Sequence, residues 1–299
     1  VPVLTYCSEI WGAFLSPNTR GKATFTKNLF NDSQPLEKLH IRFCKQVLGI
    51  HSKGSNYGCR SELGRIPLSI NIYCTLLKYW FRLVSSESNT VIYKALLANN
   101  MLFHRNRLCW LTTVDFLLNL INKKTANYTY MDEKETIRKC RNTLTAIFIR
   151  KCQETLLTNK KLAVYKEIKH NYLLETYLSD VKDFNKRVAV TKLRLSAHNL
   201  PVETGRYSNT PKQNRVCTFC NLGEVGDEFH YCMVCPHHEF QKLRDTYMQK
   251  INLINTNFYL LDKKSLFSYL ISMADKSIIT TTSTYFYKLL KLYNFLITE

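Results

Sequence analysis

Hydrophobic residues recur every three or four positions over much of the chain, which is the spacing of amphipathic helices. The first such row lies in residues 35–50 and consists of Leu36, Leu39, Phe43, Val47 and Ile50. Gly49 is expected to end this helix. The next row follows a stop at Gly64 and a restart near Pro67, and it consists of Ile70, Cys74, Leu77, Phe81 and Val84, with Trp80 beside it. Both rows predict helices with one apolar face.

The same spacing predicts further helices towards the C-terminus. Shorter ones are expected at residues 90–98 and 109–121, and another at about 161–178, with a final helix at 284–296. A long helix is expected from about 132 to 157, with an apolar row of Ile137, Cys140, Leu144, Ile147 or Phe148, Cys152 and Leu156. The polar run at 122–134 is the best candidate for an internal break. Nine glycines and seven prolines are too few to punctuate an all-β sandwich, so the fold class is mainly α.

The chain is strongly basic, with 42 basic and 23 acidic residues and a formal net charge of +19. Such an excess attracts polyanions, and nucleic acid is the favoured partner. A proteome that simply favours lysine, or an acidic membrane, would be the alternative. One basic row lies opposite the first apolar row and consists of Lys38, Arg42 and Lys45, although alone it is typical of a solvated face. A second basic stretch, residues 183–215, contains Lys186, Arg187, Lys192, Arg194, Arg206, Lys212 and Arg215.

Eleven cysteines could indicate a secreted disulfide scaffold, but the sequence favours reduced thiols. Four of them, Cys44, Cys74, Cys140 and Cys152, occupy apolar positions of helical rows, where a thiol behaves as a small hydrophobe. No signal sequence is evident, and no run approaches the roughly 18 apolar residues of a membrane span. The expectation is an intracellular protein without a membrane partner. Because the chain starts at Val1 and its first methionine is Met101, it has the character of a piece of a longer reading frame.

The segment 215–240 concentrates four cysteines and three histidines. Cys217, Cys220, His230 and Cys235 form the pattern Cys-x₂-Cys-x₉-His-x₄-Cys, and Gly223 and Gly226 suit a reversing loop between its halves. Closely spaced thiolates and an imidazole are the ligands that tetrahedral zinc prefers. The pattern therefore predicts one zinc ion, and four protein ligands would make it structural.

Other interpretations of this segment stay open. Cys217 and Cys220 could form a redox pair, although no strand–helix context supports a thioredoxin-like motif. The cysteines could also be buried without a ligand. Within a zinc site, Cys232, His237 or His238 could replace one of the four predicted ligands.

The stretches "LRLSAHNLPVETGRY" and "RVCTFCNLGEVGDEFHYCMVCPHHEFQKLR" together resemble the C-terminal region of reverse transcriptases from non-LTR (LINE-type) retrotransposons. In that family an Arg-x-Ser-x-His-x-Leu, Glu-x-Gly-Arg-Tyr segment precedes a Cys-Cys-His-Cys zinc motif. The matching residues of the first segment are Arg194, Ser196, His198, Leu200, Glu203, Gly205, Arg206 and Tyr207. Upstream, "PVLTYCSEIWG", "LEKLHIRFCKQVLGI" and "ELGRIPL" resemble the thumb and linker that follow the polymerase palm. The likeness is most specific at 191–244.

The resemblance implies four segments. These are a helical thumb-like or linker region (1–122), a long-helix segment (123–182), a basic segment with the zinc motif (183–244) and C-terminal helices (245–299). No Asp-Asp pair of a polymerase palm and no Pro-Asp of the family's nuclease occurs in the sequence, so the chain is expected to lack catalysis of its own. The implied role is to grip template RNA or target DNA beside the rest of a reverse transcriptase polyprotein, in the nucleus.

The residues expected to contact nucleic acid are Lys38, Arg42, Lys45, Lys186, Arg187, Lys192, Arg194, His198, Arg206 and Arg215, with Tyr207 and Phe219 as aromatic partners. His198 could equally be a core histidine or a helix cap. Three other functions stay open. The chain could be a zinc hydrolase if one ligand were missing, a helical scaffold that binds protein, or a degenerate relic of a retroelement gene.

Overall fold

A computed structural model of the chain describes residues 2–15 and 29–298, and it is mainly helical, as the sequence predicts. The helices of ten or more residues in this part of the chain are α1 (Pro35–Val47), α2 (Leu68–Val84), α3 (Val91–His104), α4 (Trp110–Asn119), α5 (Glu133–Thr158), α6 (Phe184–Arg194), α7 (His238–Ile254), α8 (Lys263–Ser272) and α9 (Ile279–Leu296). Shorter α-helices span Ser8–Trp11, Asn56–Glu62, Ala163–Ile168, Tyr177–Asp180 and Pro201–Thr204. Single 3₁₀ or π turns span Pro2–Thr5, Gly12–Leu15, Thr125–Tyr130, Lys160–Leu162, Lys212–Asn214, His230–Val234 and Thr256–Leu260.

No β-sheet occurs within the described ranges, and only two isolated antiparallel bridges are found there, Leu63 with Leu174 and Val216 with Val225. The chain divides into two compact units, neither of which is one continuous segment. Unit 1 comprises residues 1–41 and 66–152, and unit 2 comprises residues 42–65 and 153–299. The polar run at 122–134, which was the predicted internal break, lies within unit 1 and does not separate the two units. None of the described helices is long and apolar enough to cross a lipid bilayer.

The apolar rows of α2 and α5 are buried as predicted, except that Val84 and Ile137 are only partly buried. Ile70 and Leu77 of α2 are fully inaccessible, and Trp80 is 1% exposed. In α5 the structure decides between the two open candidates, because Phe148 is buried and Ile147 is only partly so. Its ring packs edge-on against Phe30, with ring centroids 5.3 Å apart. The free thiols Cys44, Cys74, Cys140 and Cys152 are all buried, in agreement with their predicted role as small hydrophobes.

Helix α1 buries a face other than the predicted one. Leu39, Phe43 and Val47 are about half exposed, whereas Ile41 and Cys44 are buried. Glu37 explains the choice, because its buried carboxylate accepts a hydrogen bond from the backbone N–H of Ser69 (2.9 Å). This bond satisfies a free donor in the first turn of α2 and fixes the rotation of α1. Three residues of the predicted apolar row, Leu39, Phe43 and Val47, therefore lie on the surface, whereas Ile50, which follows the helix, is buried.

The helix predicted at 161–178 is present only in part, as Ala163–Ile168, and the chain is irregular between Ile168 and Tyr177. Here Leu174 forms an antiparallel bridge with Leu63, and the N–H of Glu175 donates to the carbonyl of Glu62 (3.0 Å). Gly64 permits this approach, because it has a φ of +58° and a Cβ there would lie 2.7 Å from the backbone nitrogen of Leu174. A long-range backbone contact thus outweighs the local helical pattern. Helices α3 and α9 are longer than predicted.

Candidate metal centre and basic surface

The first half of the cysteine-rich segment forms a small hairpin in unit 2. The N–H of Cys217 donates to the carbonyl of Glu224 (2.9 Å), and the N–H of Gly226 donates to the carbonyl of Arg215 (2.9 Å). Gly223 takes a φ of +67° at the reversal, a conformation that glycine adopts without strain. The hairpin holds Cys217 and Cys220 on one turn.

The second half returns as a single π turn, His230–Val234. Its first residue is held by Asp227, whose side chain accepts from the N–H of His230 (2.9 Å). The N–H of Cys235 then donates to the carbonyl of His230 (2.8 Å). These local hydrogen bonds bring His230 and Cys235 against the hairpin.

The four predicted ligand atoms converge as the sequence indicates. The Sγ atoms of Cys217, Cys220 and Cys235 and a ring nitrogen of His230 all lie within 4.8 Å of one another. Cys217 Sγ and Cys235 Sγ are 3.8 Å apart, and Cys220 Sγ is 3.4 Å from His230 Nε2. In a tetrahedron with metal–sulfur bonds of about 2.3 Å, two sulfurs lie about 3.8 Å apart. The donor set and its spacing can therefore hold one metal ion.

Backbone donors support the thiolate form of these cysteines. The N–H of Phe219 points at Cys217 Sγ (3.5 Å), and the N–H groups of Leu222 and His237 bond Cys220 and Cys235 in the same way. The hydrogen bond with Cys235 is the largest cause that lowers the pKa of the Cys217 thiol well below its usual range. The same contact raises the pKa of Cys235, and burial raises the pKa of Cys220, so without a metal only Cys217 favours the thiolate. Metal coordination requires all three thiols to be deprotonated, and a bound cation would supply the charge that stabilises them.

Glu224 orients His230, the candidate histidine ligand. Its Oε2 lies 3.0 Å from Nδ1 of His230, while Nε2 of the same ring faces Cys220. A metal-binding imidazole commonly donates its second ring N–H to a carboxylate, which fixes the tautomer and the ring orientation. Glu224 holds Nε2 in position to act as the ligand.

The alternative ligands lie outside this group of four. Cys232 is fully buried, and burial raises the pKa of its thiol, as expected for a core cysteine. His237 packs its ring against Phe219 and Phe240, with centroids 5.6 Å from each. His238 has an exposed side chain beside Glu239. A redox pair would not explain why His230 and Cys235 join Cys217 and Cys220.

Phe219 anchors the metal hairpin to the rest of unit 2. Its ring lies 5.7 Å from the rings of Phe240 in α7 and Tyr293 in α9, and 6.4 Å from that of Tyr231. Aromatic pairs at these separations pack favourably. Phe219 is therefore a partly buried residue whose ring is held against the core by four aromatic neighbours, which does not fit the role of a free stacking partner expected from sequence.

Arg194 was expected to contact nucleic acid, and the structure contradicts this because the side chain is completely buried. Its Nε and Nη2 bond the carboxylate of Glu62 (2.6 and 3.3 Å), and Nη2 also bonds Glu175 (2.7 Å). Its Nη1 bonds the carbonyls of Ile271 and Ser272 (2.8 and 2.9 Å). All five guanidinium donors are used internally, so Arg194 joins three segments of unit 2 and cannot reach a phosphate.

His198 is a core histidine, one of the two alternatives for it. Its Nε2 lies 2.8 Å from Oε1 of Glu228, and Nδ1 accepts from the N–H of Leu200 (3.2 Å). Ser196 donates to the same carboxylate oxygen (2.6 Å). Burial alone would raise the pKa of Glu228, but its contacts with His198 and Ser196 outweigh burial and lower that pKa. The Arg-x-Ser-x-His segment therefore builds the interior of unit 2, and the nucleic-acid role expected of His198 is wrong.

The other predicted contact residues divide into two groups. Arg187, Arg206 and Arg215 have internal partners. Arg187 donates to the carbonyl of Val181, Arg215 to those of Thr210 and Val202, and Arg206 lies 3.1 Å from Glu203. Lys38 and Arg42 are exposed on α1, and Lys186 and Lys192 are partly exposed on α6. Lys45, at the C-terminal end of α1, donates to the carbonyl of Ser52.

Several basic residues meet on one face of unit 2, which we call the basic surface and which consists of Lys45, Lys53, Lys161, Lys192 and Arg206. His51 lies among them, and burial and the charges of Lys161, Lys45 and Lys192 lower its pKa, while Glu203 opposes them. Glu203 also pairs with both Lys161 and Arg206. Five positive charges thus face one carboxylate.

Tyr207 completes this surface. Its side chain is 54% exposed, and the ammonium of Lys53 lies 4.5 Å above its ring. Lys53 and Lys161 were not predicted, because they lie far from the basic stretch in sequence. Lys53 is exposed, whereas the side chain of Lys161 is only 12% exposed and pairs with Glu203.

No family model, curated protein or solved structure matches the chain.

Proposed function

We propose that the chain is a zinc-stabilised, non-catalytic nucleic-acid-binding region of a non-LTR retrotransposon reverse transcriptase, which grips template RNA or target DNA in the nucleus. The observation that carries the binding role is the basic surface of unit 2. The sequence resemblance at 191–244 supports the family, and the convergence of Cys217, Cys220, His230 and Cys235 supports zinc as the ion.

A structural role for the metal follows from its ligands. Three thiolates and one imidazole complete a tetrahedron and leave no open position for a water, which a hydrolytic zinc requires. Zinc bound in this way contributes on the order of 10 kcal/mol to the folding of small zinc modules. It would hold the hairpin against the aromatic residues of α7 and α9.

The zinc itself would not attract nucleic acid. One Zn²⁺ with three thiolates carries a net charge of −1, so the attraction must come from the surrounding lysines and arginines. On the basic surface, five positive charges and one negative charge leave a net charge of +4 for phosphates. The exposed ring of Tyr207 offers a face on which an unpaired base can stack.

Fluorescence anisotropy with a labelled single-stranded RNA and a labelled DNA duplex tests this proposal. Affinity should fall steeply with salt, and each lost phosphate contact should flatten the logarithmic slope by about 0.7 for a single strand. Lys53→Gln with Lys192→Gln should weaken binding to all sequences and flatten the slope. Lys263→Gln with Lys264→Gln removes the same charge from the exposed start of α8 and should have little effect. Equal losses in both double variants, or salt-independent binding, would refute the basic surface.

A helical scaffold that binds protein is the second candidate, because α1 exposes Leu39, Phe43 and Val47 in one row. Apolar side chains four residues apart form the kind of ridge that a partner helix covers. This function predicts that Phe43→Gln removes a protein partner while RNA affinity and its salt slope stay unchanged.

A further inference from the structure

Unit 1 contains an aromatic cavity of about 260 Å³ between α2, α3, α4 and the turn Thr125–Tyr130. Its walls include Trp80, Tyr93, Phe103, His104 and Tyr128, together with the amide of Asn100. The cavity belongs to a different unit from the metal centre and the basic surface. Aliphatic side chains, among them Leu96, Leu97 and Leu111, line the rest of the cavity. Apolar walls that combine aromatic and aliphatic groups with a few polar groups are typical of a small-ligand site.

Asn100 supplies the polar recognition group. Within residues 2–15 and 29–298 its side-chain amide has no hydrogen-bond partner, although it lines the cavity. The preceding residue provides a contrast, since the amide of Asn99 donates to the carbonyl of Ala95 (3.1 Å). A side-chain amide offers both donors and an acceptor, which is the combination that reads the edge of a nucleobase.

A second cavity, of about 410 Å³, shares Phe103 and His104 with the first and is also lined by Asn106, Arg107 and Asp115. Asp115 is its one acidic group among the described lining residues, and its carboxylate is bonded by Asn119 (2.9 Å) and Thr125. No Asp or Glu occurs between Glu87 and Asp115, whereas Lys94, Arg105 and Arg107 do. The local charge therefore favours an anionic ligand.

We propose that the aromatic cavity of unit 1 binds one unpaired nucleobase of a single-stranded nucleic acid, with the base between the aromatic side chains, its edge at Asn100 and its phosphate at Arg107. The proposal rests on the proposed function for the kind of ligand, but it uses separate residues. Bases stack on aromatic side chains in single-strand recognition, and arginine holds the backbone. An apolar peptide side chain would leave the Asn100 amide buried without a partner.

The first experiment titrates the full chain with adenosine monophosphate and with an eight-nucleotide RNA that carries 2-aminopurine at its centre. Stacking should quench the emission of the 2-aminopurine, and the monophosphate should change the fluorescence of Trp80, which lines the cavity. Asn100→Leu keeps the size of the side chain and removes the amide, and we expect a loss of affinity of about threefold to tenfold. Phe103→Leu removes a stacking face, and we expect a loss of about tenfold.

Asn99→Leu is the matched control, because it removes a neighbouring amide of α3 that is already bonded to its own helix. It should leave both titrations unchanged. Should Asn100→Leu fail to fold, as judged by circular dichroism, Asn100→Asp replaces it, since the carboxylate keeps the shape but lacks the donor and repels phosphate. Equal effects of the Asn99 and Asn100 variants, or no quenching by the wild type, would overturn the proposal. N-acetyltryptophanamide provides a further test. If it competed with the nucleotide, and if Asn100→Leu did not change its affinity, the cavity would be a pocket for a peptide side chain and the proposal would be overturned.

The basic surface is tested separately in the same samples. Lys53→Gln with Lys192→Gln should leave the affinity for the monophosphate unchanged. If long RNA bound without salt dependence while the monophosphate bound normally, the proposed function alone would be refuted. If long RNA bound with the expected salt dependence while the monophosphate did not bind, the nucleobase site alone would be refuted.

Discussion

Replacing Arg194 with methionine should destabilise unit 2 strongly, although sequence reasoning places this residue on a nucleic-acid surface. Methionine fills most of the volume of the side chain but removes the charge and all five hydrogen bonds. Glu62 is then left completely buried without its cationic partner, and the hydroxyls of Tyr165 (3.1 Å) and Tyr177 (2.9 Å) that still donate to it are neutral. Glu175 is affected less, because Lys169 remains its partner.

Removing one partner of a buried ion pair costs about 3–5 kcal/mol, because the other charge stays buried without compensation. Since whole domains have a free energy of unfolding of about 5–15 kcal/mol, this loss is a large fraction of the total. Arg194→Met combined with Glu62→Gln removes both charges of the pair. The double variant should therefore be markedly more stable than Arg194→Met alone.

Urea denaturation followed by circular dichroism measures these differences. Lys186→Met removes a positive charge from the partly exposed face of the same helix and should change the free energy of unfolding by about 0.5 kcal/mol or less. If Arg194→Met were as stable as Lys186→Met and instead lowered the affinity for RNA, the structural role of Arg194 would be wrong.

Glu224→Gln should weaken metal binding by roughly 10- to 100-fold, because it removes the carboxylate that orients His230; competition with a chromogenic chelator measures this, and unchanged affinity would contradict the orienting role. His51→Gln should leave RNA affinity unchanged at pH 7.5, because burial and the neighbouring lysines lower the pKa of His51 and keep it neutral. As the pH falls through the pKa of His51, its protonation adds a positive charge, so the RNA affinity of the wild type should rise while that of His51→Gln should not. The same pH profile in the wild type and in His51→Gln would contradict this prediction.

The candidate metal centre could be predicted from sequence because the site is local. Its four candidate ligands lie within 217–235, and the hairpin and the turn that place them use hydrogen bonds between near neighbours, such as Cys217 with Glu224. The apolar rows of α2 and α5 were predictable for the same reason, since one helix face carries the whole signal.

Long-range pairings could not be predicted in this way. Arg194 meets Glu62 across 132 positions, and nothing near either residue indicates that the charge is buried. Leu39, Phe43 and Val47 of α1 were predicted to be buried, but they are exposed. The opposite face is buried because Glu37 on that face accepts a hydrogen bond from the N–H of Ser69 at the start of α2. Lys53 and Tyr207 likewise share a surface only because of the tertiary fold.

The metal content of the purified full chain is the most direct test of a structural zinc centre. We expect about one equivalent of zinc per chain, and replacement by Co²⁺ should give the intense visible absorption of a tetrahedral thiolate site. Cys220→Ser should lose the metal and unfold the hairpin with its aromatic contacts to α7 and α9. A fully folded chain without metal, or one equivalent of zinc retained after both Cys217→Ser and Cys220→Ser, would contradict the assignment.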